Sequence, residues 1–465
     1  MGRAKAARAR EAWSEARHLY QSALGLRPQS PEIWHNLGLC YFALGEFREA
    51  RNACLQALST DQRLWQTEIL LAKTLSAQGE PLAAEARYLA TLQSNPDVGE
   101  ARIGLADLAL NAFGDPLAAM DWVKPVTGHP AHQRDAELTF LMASLYERDM
   151  SARELSNRLM AFSRRELILP AHDGVQPMPL RSLPQHRRLR VGLLSPHFSA
   201  SPVYFLTISF FRQIAPHCEL VIFNRGNRSD WATEAFRAIA THWHDVSHAG
   251  AGLLAQIIRD AGIDELYDLG GWMDPIGLQA LSSKPAPRQY KWVGGQSATT
   301  GLSTFDGWIG DSWQSPTRFQ HLYTEPLIQR GDYYAHYTPP PYLPRRASRK
   351  SSTLAIFSNP AKVSRAFLAE LAKIPGKKCF IHRQFQHARV RDRVEAVLGA
   401  KQVEYIVPDN HQAALAALNR FSTMIDTFPY SSGLTACEAF ALGTKIHVLK
   451  VGELFCERHS ARYGS

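Results

Sequence analysis

The sequence predicts an α + α/β chain, a solenoid of paired helices followed by two Rossmann-like α/β lobes. Three observations carry that expectation. The first third repeats a large/small apolar pattern with a period of about 34 residues, the spacing of stacked helix pairs. A proline-rich stretch at 170–184 then breaks the pattern. Beyond it, short apolar runs alternate with helical segments twice over, which is the rhythm of parallel sheets.

The repeat is clearest from Pro31, where Trp34, Leu37, Gly38 and Tyr41 precede Ala50, Cys54 and Ala57. Large residues fill the groove between two antiparallel helices, and small ones let the helices approach. This is the tetratricopeptide pattern. A second copy carries Leu71, Ala72, Leu75, Ala84, Tyr88 and Pro96, and a looser third carries Leu105, Ala106, Ala109, Ala118, Trp122 and Pro130. Ala16, Tyr20, Ala23 and Pro28 read as the second helix of an earlier repeat, so the chain is expected to begin inside one. The array is assigned to 1–150, with a helical and proline-rich linker at 151–186. Its apolar stripes are packing rather than chemistry. Such an array supplies a curved surface that holds an extended peptide or another protein.

In the first lobe, assigned to 187–337, strands are expected at 190–195, 220–223 and 266–269, with helices at 203–214, 231–240 and 250–261. The second lobe, assigned to 338–465, is expected to hold strands at 354–357, 378–381, 403–406, 424–425 and 446–449. Facing Rossmann-like lobes enclose a cleft at the C-terminal ends of their strands, where such sheets bind ligands. Fold by itself leaves the activity open.

Composition narrows the classes. The formal charge is +9, from 52 Lys+Arg against 43 Asp+Glu, compatible with a phosphate-bearing ligand. No Lys/Arg run with interleaved aromatics accompanies it, so nucleic acid is not an expected partner. The six cysteines are dispersed without CxxC pairs or zinc-site spacing. Free thiols and no bound metal or cofactor are expected. The charged start lacks the apolar core of a secretion signal, and no apolar run of about eighteen residues occurs. A cytoplasmic protein without a membrane span follows.

Three motifs stand in the α/β region: FSNPAK at 357–362, IDTFPYSSGLTACEA at 425–439 followed by Gly443, and KPAPRQYKW at 284–292 leading into GQSATT at 295–300. Together they resemble the bacterial tetratricopeptide-containing protein O-GlcNAc transferases and SPINDLY-like proteins, with similarity to their adhesin-glycosylating relatives. The family patterns are F-x-N-x-x-K, L-D-T-F-P-Y-N-G-x-T-T-x-C-D-A and R-P-A-P-x-Q-x-x-W. The resemblance extends over most of the chain after residue 188 and implies a GT-B arrangement of the lobes.

It also implies roles. Lys362 would hold the diphosphate of a UDP-sugar and neutralise charge on the departing group without a metal, with Asn359 a further candidate near the phosphates. Ser431 or Ser432 would cap a helix whose free amides at Leu434 and Thr435 point at phosphate. Glu438, one turn further in, would accept from ribose hydroxyls. Thr299 and Thr300 would bond phosphate or sugar oxygens. The implied reaction is inverting transfer of GlcNAc to Ser or Thr of a protein held by the repeats.

Departures from the pattern open a second reading. Where many active relatives place a histidine in the first loop of the N-terminal lobe, this chain has Ser201; His197 lies four residues earlier in SPHFSASP. The general base is therefore unassigned among His197, another residue and a solvent route. The family His-Thr-Thr is Gly433-Leu434-Thr435 here, and relatives continue for several helices beyond residue 465. The alternative is a catalytically inactive scaffold or binding module that keeps the fold.

Overall fold

Proline and small residues set the first helices. Pro31, Pro81 and Pro116 each occupy a first-turn position, where the missing N–H is no loss, and Ser30 and Asp115 cap two of these helices by accepting from Ile33 and Ala118 amides. The computed structural model describes residues 1–10, 12–169, 177–180, 182, 186–331 and 333–463. These form two compact units, 1–143 and 144–465. Most of the connector at 170–184 lies outside the described residues.

The first unit contains α1 (Gly2–Ala9), α2 (Trp13–Leu26), α3 (Pro31–Ala43), α4 (Phe47–Thr60), α5 (Trp65–Ala77), α6 (Pro81–Ser94), α7 (Gly99–Asp107), α8 (Pro116–Val123) and α9 (Gln133–Ala143). Gly38 shows why the small positions matter. A Cβ there would stand 3.2 Å from Leu70 Cδ2 and 3.3 Å from Cys54 Sγ. At Gly104 the same atom would fall 2.2 Å from the Tyr88 ring. One expectation is corrected: a helix precedes the Ala16/Tyr20 segment, and Ala4 and Ala7 of α1 are buried with Tyr20, Ile33 and Leu37 in one apolar cluster. Its alanine- and charge-rich sequence carries no large-residue signature to mark it as a repeat helix.

The second unit opens with residues 144–150 and α10 (Ala152–Glu166), then builds two parallel sheets. The first comprises β1 (Leu189–Ser195), β2 (Cys218–Asn224), β3 (His242–Asp245), β4 (Glu265–Asp268), β5 (Arg288–Lys291), β6 (Gly307–Gly310) and β7 (Leu327–Gln329), in the order β3-β2-β1-β4-β5-β6-β7. Helices α11 (Pro202–Ile214), α12 (Trp231–Arg237), α13 (Ala251–Asp260) and α14 (Pro275–Leu281) connect its strands. The second sheet comprises β8 (Ser351–Ile356), β9 (Lys378–Ile381), β10 (Val403–Ile406), β11 (Phe421–Asp426) and β12 (Lys445–Val448), in the order β10-β9-β8-β11-β12. Its helices are α15 (Arg365–Ala372), α16 (Ala388–Leu398), α17 (His411–Leu418) and α18 (Leu434–Ala441).

Every expected strand is present, and four others are added. β3 is an edge strand with its residues half exposed or exposed, so its sequence HWHD lacks an apolar signature. β5 hides inside the KPAPRQYKW motif because its polar residues are satisfied internally. Lys291 is 0% exposed, and its Nζ donates to the carbonyls of Asp268 (3.0 Å), Val293 (2.9 Å) and Gly294 (2.6 Å). β6 and β7 are short, and the sheet continues through them to its far edge.

Candidate active site

The site grows from the C-terminal ends of β8 and β11, the central strands of the second sheet. After β8 the chain turns through one 3-10 turn, Pro360–Lys362, capped by Asn359 Oδ1 accepting from the Ala361 amide at 2.9 Å. That turn aims Lys362 across to the loop after β11, where its Nζ donates to Ser431 O at 3.0 Å and stands 4.4 Å from the centroid of the Tyr430 ring. Burial pushes the lysine down to about 8, with Asp426 acting in the opposite direction. Asp426 ends β11. Its Oδ1 accepts from the Thr427 and Ser432 amides, both at 2.9 Å, and its Oδ2 accepts from Ser460 Oγ. Burial raises its pKa while these bonds lower it. An incompletely neutralised ammonium in a water-poor cleft is a strong attractor for an anion.

A second source of positive potential follows on the same loop. α18 begins after Gly433, with no side chain capping its first turn. The expectation that Ser431 or Ser432 caps this helix is therefore corrected: Ser431 Oγ donates to Cys456 O and accepts from the His459 amide, both at 2.8 Å. Among the described residues the amides of Leu434 and Thr435 have no protein acceptor. Unsatisfied amides at the positive end of a helix are a ready-made anion site.

Glu438 lies one turn into α18 and is 1% exposed, so it is not a solvent-facing helix residue. Its Oε1 accepts from His411 Nε2 at 2.7 Å, and with that proton on Nε2 the Nδ1 accepts from the Tyr342 hydroxyl at 2.9 Å. Burial raises the Glu438 pKa, opposed by the His411 bond. Its Oε2 has no protein partner among the described residues. Neither His411 nor Tyr342 was singled out from the sequence. His411 is the first residue of α17, capped by Asn410, and nothing local couples it to a residue 27 positions away.

The N-terminal loops behave differently. Thr299 and Thr300 are 0% exposed, and both hydroxyls are committed to the carboxylate of buried Glu325, Thr299 at 2.7 Å. The expected contact of these two hydroxyls with a donor is corrected to a supporting role, because a buried carboxylate requires them. Ser297 is the member of that loop which reaches the second lobe. Its Oγ meets the Tyr430 hydroxyl at 3.0 Å and its carbonyl accepts from the Cys456 amide at 2.9 Å.

Ser201 caps α11, accepting from the Val203 amide at 3.2 Å and donating to His197 O at 2.8 Å. His197 is half buried, and burial lowers its pKa with Asp274 opposing. No hydrogen bond joins either residue to the Lys362 cluster among the described residues, although Phe205 of the same α11 packs 5.5 Å from the His411 ring. Among the described residues no group of three or more His, Cys, Asp or Glu could hold a metal ion.

Comparison with known proteins follows the same division. Residues 168–352 match the model of glycosyl transferase family 41, and 7–73 and 69–124 match tetratricopeptide repeat models. The chain is 28% identical over 279 residues to a probable UDP-N-acetylglucosamine–peptide N-acetylglucosaminyltransferase SPINDLY of Petunia hybrida, and 27% identical to that of Arabidopsis thaliana. Each alignment covers 55% of this chain and 30% of the relative, so the chain spans under a third of the length of these curated relatives. Among solved structures, an O-GlcNAc transferase mutant of Thermobaculum terrenum superposes with a TM-score of 0.62 at 23% identity, over 99% of this chain and 83% of the other. That likeness is one of fold.

Proposed function

We propose, for a chain that belongs to the tetratricopeptide-bearing O-GlcNAc transferase-like family, that the second lobe binds a UDP-sugar and that its sugar passes to a Ser or Thr hydroxyl of a protein. The observation that carries this reading is Lys362 Nζ held on Ser431 O, on the loop that leads directly into the open Leu434 and Thr435 amides. In the reaction, the acceptor oxygen attacks the anomeric carbon from the face opposite UDP. The bond to the phosphate oxygen breaks, the configuration inverts, and the electron pair leaves on the diphosphate. Lys362 and the amides stabilise that charge, the part a divalent metal plays in other transferases. Glu438, set by His411, is assigned to the ribose hydroxyls through its unpartnered oxygen. The hydroxyl proton leaves to His197, to another residue or to solvent.

GlcNAc is the sugar the relatives' names suggest, and the repeats are assigned to hold the acceptor protein. A cytoplasmic setting is proposed with it; no helix among the described residues is long and apolar enough to cross a membrane. Engagement of Ser201 as a helix cap favours a second reading, a binding module that retains the nucleotide site without turnover. Incubation of the chain with UDP-GlcNAc and other UDP-sugars, followed by mass spectrometry of candidate acceptor proteins, separates the two. Sugar transfer, faster in Ser201→His, is expected. UDP binding without transfer to authentic acceptors establishes the binding module.

A further inference from the structure

The start of α18 lacks a side chain of its own at Gly433, and the space beside it is filled from elsewhere. A Cβ built on Gly433 would stand 3.6 Å from His459 Cγ and 3.7 Å from Cδ2. His459 belongs to the segment after β12, and that segment is anchored on every side. Arg458 donates to Trp313 O at 2.7 Å and Gly452 O at 2.8 Å, the His459 amide donates to Ser431 Oγ at 2.8 Å, and Ser460 Oγ donates to Asp426. The imidazole lies 5.2 Å from the Phe455 ring, edge to face, and 5.9 Å from the Tyr430 ring over which Lys362 sits.

One ring nitrogen is committed and the other is unpartnered. Nδ1 lies 3.4 Å from the amide oxygen of Gln314, a side-chain amide that can turn over to donate instead. Nε2 has no hydrogen-bond partner among the described residues. Burial and the charge of Lys362 push the imidazole down to about 3, so in the free protein it is neutral, with a single N–H to place.

We infer that His459 is a ligand-binding residue that contacts the diphosphate of the donor: its Nε2–H is a further donor to the anion beside Lys362 Nζ and the amides of Leu434 and Thr435. The inference rests on the nucleotide-sugar reading of the cleft and adds a residue outside the three motifs from which that reading was built. A neutral N–H suits the place, because a second full cation beside Lys362 would have to be held there in the absence of ligand. With the proton on Nε2, Gln314 orients the ring by donating a side-chain amide N–H to Nδ1.

The test is calorimetric titration of UDP, uridine and inorganic pyrophosphate into the intact chain and into His459→Ala, His459→Gln and the double variant Gly433→His/His459→Ala. His459→Ala is expected to weaken UDP and pyrophosphate about tenfold and to leave uridine unchanged, the loss typical of one hydrogen bond to a charged group. His459→Gln, which keeps an N–H of similar reach, retains most of the affinity. The double variant regains it by presenting the imidazole from the helix itself. Pyrophosphate affinity unchanged in His459→Ala overturns the inference, as do equal losses in the Ala and Gln variants accompanied by a fall in melting temperature. His459-dependent binding of pyrophosphate without any binding of UDP supports the anion contact and overturns the nucleotide reading. Binding of neither ligand by the intact chain overturns both.

Discussion

Lys362 is the residue on which the proposed chemistry turns, and its environment makes its charge conditional. Its pKa falls from 10.5 to about 8 on burial, so between those two values the folded protein binds less proton than the unfolded chain. Stability contributed by this group therefore rises with pH across that window. Anion affinity runs the other way, because only the ammonium attracts phosphate. UDP affinity is expected to fall as pH climbs through about 8, and the fall should vanish in Lys362→Ala, which itself weakens UDP and lowers turnover by about a hundredfold or more. Calorimetry across roughly pH 6.5 to 9.5, which brackets the lysine's value of about 8, checks both; a flat profile in the unaltered protein would falsify the assignment. Glu438 gives a contrasting case at the same scale. Because its carboxylate, held by His411, is proposed to take the ribose, Glu438→Ala should weaken UDP much more than pyrophosphate, and equal losses would remove it from the ribose.

At the scale of elements, a tight fit in the first sheet lies between the turn after β4 and the loop after β5. Val293, Gly294 and Gly295 have φ of 48°, 27° and 61°. A Cβ at Gly294 would fall 1.9 Å from Leu269 O, and one at Gly295 would fall 2.1 Å from Gly270 O. Beneath them Lys291 ties three carbonyls together and faces Asp268 Oδ2 at 3.3 Å. Lys291→Met should cost about 3 kcal/mol or more in the urea unfolding of this unit, because it strands a buried carboxylate and several carbonyls. A loss below about 1 kcal/mol would mean that water replaces the ammonium.

The same loop shows what sequence can reveal. The alternation of strands and helices was legible because apolar periodicity is local, and so was the placement of Lys362 and α18, because each motif follows a strand directly. Thr299 and Thr300 were misread because their partner Glu325 is 25 residues away for Thr300 and carries no pattern that announces a buried acid. The Lys362–Ser431 contact spans 69 positions and Ser297–Tyr430 spans 133. Pairings of that range depend on how the loops meet, which no local spacing encodes.

At the scale of the whole molecule, the proposed function divides its labour between the two units, and the boundary at Ala143 makes that testable. The first unit ends at Ala143. The residues just after it pack within the second unit: the Tyr146 ring stacks on Tyr430 at 4.8 Å, Glu147 accepts from the Arg365 amide at 2.8 Å, and Arg148 pairs with Glu457. Tyr430 is the ring beneath Lys362, so this short segment supports the proposed anion site although it lies within the stretch the sequence assigns to the repeats. Two truncations should therefore differ. Removing residues 1–143 is expected to leave UDP affinity within about twofold while reducing capture or modification of a protein acceptor, because a repeat array is stabilised by its own stacked core. Removing 1–150 also takes away the Tyr146 stack and leaves the buried Glu457 without Arg148, and UDP affinity should drop about tenfold or more together with thermal stability. Calorimetry and circular dichroism on the two fragments measure the contrast. Equal UDP affinity in both would detach residues 144–150 from the site, and loss of UDP binding in a folded 144–465 fragment would overturn the division itself.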